Sequence, residues 1–180
     1  MGVIGDRLRV AASIAGGAVA GELDGAGTVR IALRDGVWHD REALERHLEA
    51  LGRRLWAART RAYLAAVSAA AGATVTREPP AVGRRELEYV ARRAAMVACG
   101  RSADGRVSVR VRGMREWRVR VEPGPGDPSE AVREAGEALV RDQLRQVRAL
   151  KRTIWQPRGT AIAGRAAESG GHIPPAGGAS

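Results

Sequence analysis

Few side chains in this sequence could do covalent or metal chemistry, and their spacing argues against an enzyme. The histidines are His39, His47 and His172. His39 and His47 stand eight apart, whereas a two-histidine metal site on one helix face needs a spacing of three or four, so no metal site is expected. Cys99 is the only cysteine. It permits no internal disulfide and no thiolate zinc site. With no histidine near it in sequence, it is expected to be a buried structural residue rather than a nucleophile. No serine-nucleophile motif and no P-loop occur. Gly25-Ala26-Gly27 falls between two expected strands rather than between a strand and a helix, which argues against a dinucleotide site. Glu42, Glu45 and Glu49 interleave with arginines at helical spacing and read as i,i+4 ion pairs. The expectation is a non-enzyme with no cofactor.

What remains is arginine. The 180 residues carry 30 Lys and Arg against 20 Asp and Glu, a net charge of +10, and the sequence pI is about 11.3. Such a chain is drawn to polyanions: nucleic acid, or an acidic membrane or protein surface. The charge is most regular between Asp104 and Glu122. Val107, Val109 and Val111 alternate with Ser108, Arg110 and Arg112, and Trp117, Val119 and Val121 alternate with Arg118, Arg120 and Glu122. A period of two with β-branched residues marks half-buried antiparallel strands, joined here by a turn at Gly113-Met114. Arg110, Arg112, Arg118 and Arg120 then share the wet face, with Arg115 at the turn. A second basic group, Arg145, Arg148, Lys151 and Arg152, ends the last helix and suits the negative end of its dipole. The bland alternative is that the sheet arginines only solubilise the sheet and blunt its edge.

The elements that must position these residues are small sheets and long helices. Much of the apolar content is alanine and phenylalanine is absent, so the core is expected to be thin. Residues 3–16 read as a short helix stopped by Gly16-Gly17. Residues 18–23 and 28–34 read as a hairpin about the turn at 24–27. Asp40 is an N-cap for a helix to about Ala71, with Leu44, Leu48, Leu51, Leu55, Ala58, Ala62 and Ala65 as a heptad-like seam. Residues 72–83, with Pro79-Pro80, form a linker. A helix from Arg84 to about Ala95 should turn Leu87, Val90, Ala91 and Ala94 inward, and Met96–Cys99 starts the next strand. Asp127-Pro128-Ser129-Glu130 opens the last helix, with Asp127 as N-cap and Pro128 at its first position, running to about Thr153. The expected organisation is a helix-hairpin-long helix unit over 1–73, a linker over 74–83, a second unit over 84–155 and a disordered tail over 156–180. No stretch suits a membrane span or a signal peptide, and a cytoplasmic location is expected.

Val29–Arg34 echoes Val107–Arg112, and Glu42-Ala43-Leu44 echoes Glu130-Ala131-Val132. The second half resembles the YbaB/EbfC family of bacterial nucleoid-associated proteins. The resemblance covers roughly Arg84 to Arg152: a helix, a short strand at Met96–Cys99, the run Ala103 to Gly113, a third strand at Trp117–Val121 and the Asp-Pro-Ser-Glu helix start. It implies an α+β fold, α-β-β-β-α, with small antiparallel sheets flanked by long helices, usually as a homodimer that binds double-stranded DNA. The first half is expected to be a degenerate copy, because Val37-Trp38 is too short to supply a third strand. The chain would then be a homodimer or a fused pseudo-dimer meeting along its long helices.

The leading expectation is a nucleoid-associated protein that binds DNA without sequence specificity. Its arginines neutralise phosphates and release counterions, and no recognition-helix or finger motif points to base readout. The alternative is a non-enzymatic interaction or assembly module with a basic surface. RNA binding comes third, since the aromatic platform that single strands favour is missing unless Trp38 or Trp155 is exposed.

Overall fold

The computed structural model describes residues 8–76 and 80–156. It is α+β, with two antiparallel three-stranded sheets and three helices. The order is β1 (Arg9–Ile14), β2 (Val19–Asp24), β3 (Val29–Leu33), α1 (Arg41–Ala71), α2 (Arg84–Ala95), β4 (Val97–Arg101), β5 (Val107–Arg112), β6 (Glu116–Val121) and α3 (Ser129–Trp155). Each sheet is a meander, β1-β2-β3 and β4-β5-β6.

The segment expected as a first helix is strand β1, and residues 1–7 lie outside the described residues. Val10, Ala12 and Ile14 face inward at a period of two, paired with Leu23, Gly21 and Val19 of β2. Alanine fits either period, so composition masked the strand. Gly16 and Gly17, read as a helix stop, form the β1–β2 turn with positive φ at both. The first sheet is therefore complete. Its third strand precedes the hairpin, and the expectation of an incomplete first half, resting on Val37-Trp38, is corrected.

The α1 boundaries agree with the sequence expectation. Asp40 Oδ1 accepts from the Ala43 amide and Gly72 ends the helix in the left-handed region. Leu44, Leu48, Leu51 and Leu55 are buried, Ala58 and Ala62 pack against the core and Ala65 is exposed. At α3 the start shifts by one residue. Pro128 is the cap, and Asp127 Oδ1 accepts from both the amide and the hydroxyl of Ser129.

The long helices tie the sheets together. α1 packs on β1 and β2 and reaches β6 of the other sheet, while α3 packs on β4 and β5 and reaches β3. One buried cluster runs through both, from Val10, Val19 and Leu44 to Val107, Trp117 and Leu139. Glycine makes the closest approaches. A Cβ at Gly52 of α1 would lie 2.5 Å from the Trp117 ring, and one at Gly100 of β4 would strike the Ala135 carbonyl of α3.

The orientation expected for α2 is corrected. Leu87 and Val90 are 55% and 51% exposed, Ala91 and Ala94 are also exposed, and no α2 residue is buried. The helix instead meets α3 through Tyr89, whose ring lies 5.0 Å from that of Trp155, edge to face.

Candidate nucleic-acid interface

Strand parity builds the basic face. The inner rows of the second sheet carry Ala98 and Gly100, Val107, Val109 and Val111, and Trp117, Val119 and Val121, all buried. Successive side chains alternate across a pleat, so the outer rows carry Cys99 and Arg101, Ser108, Arg110 and Arg112, and Glu116, Arg118 and Arg120. The register aligns them as Cys99–Arg110–Arg118, Arg101–Ser108–Arg120 and Val97–Arg112–Glu116. Arg110 and Arg118 thus stand directly opposite one another, an arrangement that like charges disfavour. Cys99, expected to be buried, is exposed on this face, because its neighbours Ala98 and Gly100 take the inner positions. Arg101 joins the face as a residue that sequence reasoning missed. Only the β4–β5 register places it there, opposite Ser108.

The expected arginines fall into three settings. Arg110, Arg112 and Arg115 are exposed and have no ion-pair or hydrogen-bond partner for their side chains among the described residues. Arg118 and Arg120 are 82% and 76% exposed at their side chains but lie 3.9 and 3.4 Å from the carboxylates of Glu49 and Glu45. Glu49 also pairs with Arg53 of α1 as expected, whereas Glu45, expected in an i,i+4 pair, has no α1 arginine partner among the described residues and pairs with Arg120 instead. Glu45 and Glu49 accept the Val121 and Val119 amides at 2.9 and 3.3 Å, and so cover the open edge of β6.

The second group lies on a neighbouring flank. The Asp142 carboxylate accepts the Cys99 amide at 2.9 Å, and the Gln146 amide donates to the Val97 carbonyl at 2.8 Å. This stretch of α3 therefore runs along the open edge of β4. Burial opposes ionisation of Asp142, but the Cys99 amide and the Arg145 and Gln146 side chains outweigh it and hold its pKa below the usual carboxylate value. Arg145 pairs with Asp142. Arg148, Lys151 and Arg152 are exposed, with no acidic partner among the described residues. The five hairpin arginines share one face or its turn, and the helix-end cations begin beyond the β4 edge rather than on that face.

Arg106 belongs to neither group despite its position beside the hairpin. Its guanidinium donates to the carbonyls of Gly124, Pro125 and Gly126, each at 3.0 Å, and pins the loop ahead of α3. The first sheet offers a contrast. On its outer face Arg30 and Arg9 lie 3.4 and 3.9 Å from Glu22, and Ala11, Ser13, Ala20, Asp24 and Ala32 fill the remaining positions. No group of three or more metal-ligating side chains occurs among the described residues, and no helix there is long and apolar enough to cross a membrane. Comparison with family models, with curated proteins and with solved structures gives no match.

Proposed function

We propose that the protein binds double-stranded DNA without sequence specificity, as a nucleoid-associated protein, through the outer face of its second sheet. The observation that carries this reading is the opposed pair Arg110 and Arg118, beside the unpartnered Arg112 and Arg115, on an exposed sheet. Glu49 offsets part of the Arg118 charge, but Arg110 has no acidic partner among the described residues, and a row of phosphates would relieve the remaining repulsion. On the corresponding face of the first sheet both arginines, Arg9 and Arg30, lie beside Glu22. Phosphate neutralisation with counterion release supplies affinity without base readout. Arg145, Arg148, Lys151 and Arg152 extend the contact past the β4 edge.

The fold supports reading the chain as two fused YbaB/EbfC-like units. The order strand-strand-strand-long helix occurs twice, and each long helix packs on its own sheet and on the third strand of the other. This fused arrangement would take the place of the family's homodimer.

The test is an anisotropy titration of the full chain with random-sequence duplex DNA at several salt concentrations. Binding at micromolar Kd or tighter near physiological salt, with a steep log–log slope, is expected. Replacing Arg110, Arg112, Arg118 and Arg120 by Gln should flatten that slope by about 0.9 for each phosphate no longer neutralised. Unchanged affinity in this variant would remove the sheet-face assignment.

One observation favours a second reading, an interaction or assembly module. Leu87 and Val90 present an uncovered apolar face on α2. In that case unlabelled DNA of any sequence would leave partner binding intact.

A further inference from the structure

The first half of the chain reaches the arginine face along its β6 edge. Glu45 and Glu49, one turn apart on α1, lie against β6 of the second sheet. Their side chains are only 13% and 16% exposed. One oxygen of each is held by the strand: Oε1 of Glu45 accepts the Val121 amide and Oε1 of Glu49 the Val119 amide. The other oxygen, Oε2, faces Arg120 in one pair and Arg118 in the other. The carboxylate is therefore the fixed member of each pair, and the long, exposed arginine is the member that can move. Exposed ion pairs contribute little to stability, so a phosphate can draw the arginine away while the bond to the amide stays in place. The β4 edge is built differently. Asp142 of α3 also accepts a strand amide, but the arginine it holds is Arg145 of its own helix rather than one of the sheet.

We propose that Glu45 and Glu49 set how tightly the arginine face binds DNA. In the free protein each holds one arginine of the face, and on DNA that arginine exchanges the carboxylate for a phosphate. The carboxylate left behind keeps its amide, so the edge of β6 stays covered while Arg118 and Arg120 are on the duplex. Such tuning rests on the DNA-binding reading and gives the first half a task within it: α1 weakens a surface that belongs wholly to the second half.

A double-mutant cycle on the full chain tests the proposal, read by anisotropy with random-sequence duplex DNA near physiological salt. Glu45→Gln removes the charge but keeps an oxygen for the Val121 amide. It should leave Tm close to that of the wild type and tighten binding by up to about fivefold, the contribution of an exposed ion pair. Arg120→Gln should weaken binding, and adding Glu45→Gln to it should change nothing further, because no arginine remains to be released. Glu42→Gln makes the same charge change at a residue that pairs with Arg46 of its own helix, and should bind as the wild type does. Glu49→Gln with Arg118→Gln forms a second, independent cycle. Its gain should be smaller, because that pair is longer and Glu49 also holds Arg53. Failure of both glutamine variants to tighten binding overturns the proposal and leaves the DNA-binding reading standing. So does a gain that persists in the Arg120→Gln background, or one that Glu42→Gln reproduces, since either would be a general effect of charge. Absence of salt-dependent binding by the wild type removes both the tuning and the reading on which it rests.

Discussion

At the scale of single residues, two arginines of the same hairpin have opposite tasks. Arg106 donates to three successive carbonyls of the Gly124–Gly126 loop, so Arg106→Ala should lower Tm and leave DNA affinity of the folded protein unchanged. Arg110 has no hydrogen-bond or ion-pair partner for its side chain among the described residues and faces Arg118. Arg110→Ala should therefore leave Tm unchanged or slightly higher while weakening DNA binding and lowering the salt slope by about one. Paired melting and anisotropy measurements on the two variants check both statements, and a common loss of stability and affinity in both would argue against them. Asp142 carries a pH dependence. Its folded pKa lies below the usual carboxylate value of 3.8, so its contribution is complete above that value and is lost as pH falls through the lowered folded pKa. Asp142→Asn should lower stability at neutral pH and make the acid limb of a Tm-against-pH curve shallower than in the wild type.

At the scale of elements, strand period was the legible signal and small residues were its blind spot. The hairpin from Val107 to Val121 could be read directly, because β-branched or aromatic residues alternate with polar ones on both strands. β1 could not, since Ala11, Ala12 and Ala15 suit a helix as well as a strand. The α1 seam was visible in its leucines, but no periodicity shows that Glu45 and Glu49 leave the helix surface to cover a strand edge 70 or more residues away. The apolar stripe of α2 was recognised, yet its direction was not, because a stripe does not say whether a partner element exists to cover it. The glycines at helix contacts gave no signal at all: inside a helix, glycine costs about 1 kcal/mol relative to alanine, and the sequence does not show what it makes room for. Gly52→Ala would regain that propensity but press a methyl into the Trp117 ring, and overpacking of this kind costs about 1–3 kcal/mol. A net loss of up to about 2 kcal/mol is expected from the difference of these two effects. At Gly100 the obstruction is the Ala135 carbonyl of α3, which cannot rotate away as a side chain can. Gly100→Ala should therefore be the more damaging change. Urea denaturation of both variants gives the order, and a Gly52→Ala protein more stable than the wild type would contradict the tight helix–tryptophan contact.

At the scale of the whole molecule, neither half has a core of its own to spare. α1 closes its own sheet with Leu44 and Leu48 but also seats Trp117 at Gly52, while α3 closes its sheet with Ala135 and Leu139 and also lies against Val29 at Gly136. Exposing Trp117 alone forfeits on the order of the 3–5 kcal/mol that truncating a buried tryptophan costs, a large share of the roughly 5–15 kcal/mol that holds a typical domain together. Residues 1–76 and 80–180 produced as separate chains should therefore each lack a cooperative melt. Mixed in equal amounts they should recover one, with a Tm that rises with concentration, because association now supplies what the linker supplied before. The same experiment bears on the arginine face. That face lies wholly within the second fragment, so salt-dependent DNA binding with the slope of the intact chain should return only with the first fragment present. A second fragment that melts cooperatively and binds DNA with the full slope by itself would mean that the crossed helices are an attachment between two independent units, and that the first half has no part in forming the DNA-binding surface.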